Sequence, residues 1–204
     1  MKTDVIVIAP NGEGIADALA ETERAAEYRK LEPKQTLRLR LLAEEMTGML
    51  RTLIGEERFR YWVETDGKTF SLHLTGNTLM NTDLRRELLE VSSSGKNAAA
   101  KGFMGRLREV FTTISENGDG GTLAAEYGYG YVGVTGYDAS MDMSPNALLS
   151  GWSLRAYRNA LAQNREQEPE KWDELEKSIT AKLADDVKIF IRGNTVEMVI
   201  EKAF

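Results

Sequence analysis

The sequence predicts an α+β fold, a two-layer α/β sandwich in which a mostly antiparallel mixed sheet of about five strands is covered on one face by helices. Three observations predict it: a β-branched run near the start, two segments of helical apolar spacing directly after it, and two pairs of alternating strands, each pair joined across a turn dipeptide.

Taken in order, Asp4 to Ala9 is a short β-branched run closed by Pro10-Asn11-Gly12, a strand followed by a turn. From Ile15 to Leu31, Ile15, Ala18, Leu19, Thr22, Ala25, Ala26 and Tyr28 recur at helical spacing, and Glu32-Pro33 ends that helix because the residue before proline avoids the helical region. A second helix opens at Pro33 with the stripe Leu39, Leu42, Met46, Met49, Leu50 and Leu53, and Gly55 stands at its C-cap. Phe59 to Thr65 and Lys68 to Leu74 flank Asp66-Gly67, which predicts a hairpin closed by a type I′ turn. In its second strand Phe70, Leu72 and Leu74 alternate with Ser71 and His73, so one face is buried and the other is wet or near a ligand. A second hairpin, Val187 to Arg192 and Thr195 to Glu201 about Gly193-Asn194, closes the chain. Helices are predicted between the hairpins near Asp83 to Glu90, Gly102 to Ile114, Asn146 to Asn164 and Glu170 to Leu183. Residues 116–145, rich in glycine with Tyr127, Tyr129 and Tyr131, read as an insertion, and residues 1–204 as one domain.

Composition narrows the chemistry. With no cysteine and one histidine, thiolate catalysis, sulfur-ligated metals and most His-based sites are excluded, which leaves carboxylates, lysines, arginines, hydroxyls and backbone groups. A net charge of -6 argues against general nucleic-acid binding, which needs a surplus of Lys and Arg on one face. The sequence has no run of about 18 apolar residues and no signal-peptide pattern, so a cytoplasmic protein is expected.

Three constellations could carry chemistry. Glu44 interrupts the apolar second helix on a side shared with Leu37, Leu41 and Gly48, where a carboxylate could orient a water or a cation; the plainer alternative is a solvated surface glutamate. The stretch Ser92 to Arg106 joins small residues to Lys96, Lys101 and Arg106 before a predicted helix, a combination that suits a phosphate; the alternative is a glycine-rich connection. It lacks the spacing of a Walker A loop. His73, alone on a strand, has no second imidazole or thiol with which to build a common metal site and reads as structural. Trp152, Tyr157 and Trp172 read as packing residues.

The order of elements, together with Glu44-Glu45-Met46-Thr47-Gly48 on the second helix, Leu74-Thr75-Gly76-Asn77-Thr78 after the hairpin and Lys101-Gly102-Phe103-Met104-Gly105-Arg106-Leu107 at a helix start, resembles the GHKL (Bergerat-fold) ATPase superfamily. Within it the likeness is to the bacterial anti-sigma-factor serine kinases and histidine-kinase-like ATPase domains. The resemblance implies ATP and Mg as cofactors, Glu44 as general base or water-orienting group, and nucleotide contacts from Gly48, Thr75, Gly76, Asn77, Gly95, Lys96, Asn97, Lys101, Gly102 and Gly105. Gly48 stands where that family has the magnesium-holding asparagine, and Leu74-Thr75 where its adenine-reading aspartate falls. The implied function is an ATP-binding regulatory protein, up to a weak protein serine kinase, whose partner is a sigma factor or antagonist-like protein, with no direct nucleic-acid or membrane contact and with homodimerisation allowed. The alternative is a degenerate, non-catalytic member that acts by protein–protein contact.

Overall fold

The computed structural model describes residues 1–54, 58–77, 150–163, 165, 169–192 and 195–204. Their elements are β1 (Ile6–Ile8), α1 (Ile15–Tyr28), α2 (Pro33–Ile54), β2 (Phe59–Asp66), β3 (Thr69–Asn77), β4 (Ser150–Ser153), α3 (Leu154–Gln163), α4 (Pro169–Lys177), α5 (Ile179–Leu183), β5 (Asp186–Arg192) and β6 (Thr195–Ala203). The strands form one six-stranded sheet in the order β1-β2-β3-β6-β5-β4. Every pairing is antiparallel. The predicted α+β sandwich is thus present. The predicted helices 83–90 and 102–114, the insertion 116–145, Gly55 and Gly193-Asn194 lie outside the described residues.

Period-2 burial fixes the register. Tyr61, Leu74, Met198 and Ile189 share one cross-strand row, and Val63, Leu72, Ile200 and Val187 the next. All eight are buried against Ala18, Leu19, Leu39, Leu42, Met46 and Met49 from α1 and α2. Sealing a leucine of this kind from water contributes about 1.5–3 kcal/mol, so the stripe of α2 is what fastens the helical layer to the sheet. The polar groups within this layer are paired. The Thr22 hydroxyl lies 2.6 Å from the Tyr61 hydroxyl and also donates to the Ala18 carbonyl. Burial pushes the Tyr61 phenol well above its ordinary pKa, which the Thr22 hydrogen bond only partly offsets, so it stays neutral.

Several boundaries depart from the sequence expectation, each for a local reason. Helix α1 ends at Tyr28, not Leu31, because Lys30 takes a left-handed φ of 54°. The Lys30 amide then donates to Glu27 and the Leu31 amide to Ala26, which is the Schellman arrangement. In the first hairpin Asp66 pairs with Thr69, so the two-residue turn is Gly67-Lys68 and not Asp66-Gly67. Gly67 alone has positive φ there, 58°, which matches a type II′ turn and not type I′. Residues 150–153, predicted as helix, form the added strand β4 along β5. Ser153 stops that strand and caps α3, its hydroxyl accepting from the Ala156 amide. The helix predicted from Glu170 to Leu183 is broken into α4 and α5 by Ser178, whose hydroxyl accepts from the Ala181 amide as an N-cap.

Residues ahead of β1 continue along β2. The Thr3 amide donates to the Val63 carbonyl, and the Val63 amide donates back to the Thr3 hydroxyl. Ile6 faces Tyr61 while Lys2 bridges to Glu64, so one extra residue is accommodated between them. That offset lays Lys2 on the sheet face opposite α1 and α2, the outer face.

Candidate functional site

The residues singled out from the sequence fall into three groups. Glu44 sits on α2 with its side chain 41% exposed, and its carboxylate accepts from Arg40 Nε at 3.1 Å. Arg40 also donates to Glu23 of α1 at 2.6 Å. These two carboxylates raise the pKa of the guanidinium further, so Arg40 is a permanent cation between them. Glu44 is therefore part of an ion network that bridges the two helices. Gly48, one turn along α2, is exposed, and a Cβ there would meet nothing within 4 Å.

The second group is Thr75, Gly76 and Asn77 at the end of β3, each of which has a task within the sheet. The Thr75 hydroxyl donates to the Val196 carbonyl, and the Asn77 side-chain oxygen accepts from the Thr195 hydroxyl. Gly76 faces Phe59 across the strands, and a Cβ on it would come within 2.7 Å of Phe59 Cε1. Glycine is needed there so that the buried Phe59 ring can lie against the backbone. The third group, Gly95, Lys96, Asn97, Lys101, Gly102 and Gly105, lies outside the described residues. The structure thus brings Thr75, Gly76 and Asn77 together and places Glu44 and Gly48 on one helix face.

A different cluster assembles on the outer face, around His73. The hairpin register sets His73 directly opposite Trp62, and the two rings stack with centroids 4.8 Å apart and planes 7° from parallel. Glu64, two residues from Trp62 and so on the same face, accepts from the indole Nε1–H at 2.9 Å. On β6, Glu197 is opposite Thr75 and diagonal to His73, and its carboxylate lies 3.2 Å from His73 Nδ1. The Lys2 ammonium sits 4.4 Å above the Trp62 ring and 3.2 Å from Glu64. His73 Nε2 is buried without a hydrogen-bond partner, and it lies 3.9 Å from the second Glu64 oxygen. Partial burial pushes the Glu64 carboxyl up, but hydrogen bonds from Trp62 and Lys2 and the nearby His73 outweigh it and hold the group below the usual carboxylate range.

Two other carboxylates are compensated, Glu201 further along the same face and Asp185 by Lys202, which shares the Phe70 face by register. Glu201 pairs with Lys188 at 2.5 Å, and Asp185 with Lys202 at 2.8 Å. Asp186, almost fully buried, accepts from the Ser153 hydroxyl and the Arg155 amide, so it anchors the start of α3 to the sheet.

Sequence reasoning isolated His73 but not Trp62, Glu64 or Glu197, which are brought to it by strand pairing alone. The available signal was the register: once the two-residue turn is placed at Gly67-Lys68, Trp62 and His73 must oppose one another. Among the described residues no group of three or more acidic, histidine or cysteine side chains is arranged to hold a metal ion. No helix among them is long and apolar enough to cross a membrane. Comparison with protein-family models, with curated proteins and with solved structures finds no match to this chain.

Proposed function

We propose that this protein acts by protein–protein contact and not by phosphoryl transfer, as a degenerate relative of the GHKL ATPase type. The observation that carries this reading is the state of Glu44. A general base needs a free carboxylate within reach of the proton it removes, yet Glu44 is engaged by Arg40 on a half-exposed helix face. Phosphoryl transfer depends on positioning and on charge neutralisation by magnesium, and Gly48 has no side-chain oxygen for the metal one turn from Glu44. Thr75, Gly76 and Asn77 are accounted for by closure of the sheet and by room for Phe59. The second reading, an ATP-binding regulator, rests on Lys96 and Lys101 in their glycine-rich setting.

Thermal unfolding with and without millimolar Mg-ATP separates the two. A ligand that binds only the native state raises the midpoint by mass action, about 2.7 kcal/mol at a hundredfold excess over Kd. The expected result is no shift. A shift that disappears in Lys96→Ala or Lys101→Ala would overturn the non-catalytic reading in favour of the ATP-binding one.

A further inference from the structure

We propose that Trp62, Glu64, His73 and Glu197 form a seat for a lysine or arginine side chain of a basic protein segment, and that Lys2 occupies this seat in the free protein. The proposal deepens the protein-contact reading by giving the partner a chemistry and a place to land.

The first support is that a cation is already there. Lys2 is held by the two features that recognise an ammonium group, an aromatic face at 4.4 Å and a carboxylate at 3.2 Å. With side chains 54% and 43% exposed, Lys2 and Glu64 form a screened surface pair, which a partner's cation can displace without breaking the core. The second support is rigidity. Trp62 lies flat on His73 and donates its indole N–H to Glu64, so ring and carboxylate are fixed before any ligand arrives.

The third support is an excess of acceptors. Among the described residues Glu197 has no lysine or arginine within 4.0 Å, only His73 Nδ1 at 3.2 Å. His73 Nε2 has no partner and faces a Glu64 oxygen 3.9 Å away. Among the described residues Arg60, on the same face by register, makes no ion pair. Glu201, further along the same face, does have a lysine partner in Lys188. N–H donors on a cationic side chain would supply what the part-exposed Glu197 carboxylate lacks. A phosphate-bearing ligand would meet two carboxylates instead, which disfavours nucleic acid as the occupant.

The test uses the full chain, labelled with nitrogen-15 and titrated with octalysine, with octaglutamate as control. The expected result is saturable movement of the Trp62 indole signal with octalysine only. Glu197→Gln should weaken binding about tenfold, and Glu64→Gln should lose the saturable component. Lys2→Ala should tighten binding several-fold, whereas Lys34→Ala, which removes the same charge from an exposed site on α2, should not. Absence of saturable binding, equal tightening in Lys2→Ala and Lys34→Ala, or unchanged binding in Glu197→Gln would each overturn the proposal. A thermal shift with Mg-ATP would overturn the non-catalytic reading alone and leave this titration to stand by itself.

Discussion

On the face of the sheet covered by α1 and α2, Tyr61, Leu72, Leu74, Met198 and Ile200 are sealed from solvent, and the buried hydroxyls of Thr22 and Tyr61 satisfy one another. On the outer face the same strands carry Trp62, Glu64, His73 and Glu197, where one imidazole nitrogen is left without a partner. A covered face is chosen by volume and transfer free energy, so its residues are interchangeable within apolar types. A face carrying directed hydrogen bonds and stacked rings is not interchangeable in this way, and an unsatisfied buried atom on it calls for an explanation beyond stability. The contrast is between a face set by apolar packing and a face set by directed polar contacts, and the proposed recognition site lies on the second.

The comparison can be broken or sharpened by substitution. Leu42→Ala, at a fully buried site under the sheet, is expected to cost about 3 kcal/mol in a denaturant titration, because the cavity adds to the lost transfer free energy. A loss below about 1 kcal/mol would show that α2 is not the fastening element. Gly76→Ala is expected to cost about 2 kcal/mol, since its methyl group must move the Phe59 ring. Were Gly76 kept for ligand contact and not for packing, stability would be unchanged. Gly48→Ala reverses the sign: its Cβ has free space, and alanine in place of glycine within a helix should stabilise by about 0.5–1 kcal/mol. Differential scanning calorimetry reads that gain as a higher Tm.

The smallest effect expected is acid-dependent. The Asp185 carboxyl is pushed up by partial burial, but the Lys202 and Ala203 N–H groups outweigh that and hold it below its ordinary range. A depressed carboxylate contributes stability that is fully present above the unfolded pKa, about 4, and is lost as pH falls through the folded value. Asp185→Asn should therefore flatten the acid limb of the stability profile and leave its difference from wild type constant above pH 5. A mutant curve parallel to wild type down to pH 2 would remove Asp185 from that role.

Much of the architecture was legible in the residues. The stripe Leu39, Leu42, Met46 and Met49 identifies α2 and its buried face, and the alternation at Phe70, Leu72 and Leu74 identifies β3 and its orientation. Boundaries set by single capping side chains were harder to read. Ser153 ends a strand and opens a helix within one residue, and Ser178 breaks what apolar periodicity reads as continuous. The turn was misplaced by one residue because Asp66-Gly67 and Gly67-Lys68 are both acceptable dipeptides, and only the register between Asp66 and Thr69 chooses between them. The candidate site was the least legible part. Glu44 is conspicuous in an apolar helix, yet its carboxylate is engaged by Arg40, four residues earlier and visible as an i,i+4 pair. Trp62 and Glu64 share a face by their i,i+2 spacing, but His73 and Glu197 join them only when β3 is placed between β2 and β6.

The central claim is that recognition lies on the outer face around Trp62 and not at Glu44 and Gly48 on α2. Nitrogen-15 correlation spectra on two samples of the protein, one titrated with Mg-ATP and the other with octalysine, test it directly. The account predicts that the amides of Gly48 and Gly76 stay in place throughout the nucleotide titration and that the Trp62 indole moves, saturably, with the peptide. Movement of Gly48 and Gly76 with Mg-ATP, with the Trp62 indole unmoved by octalysine, would contradict it.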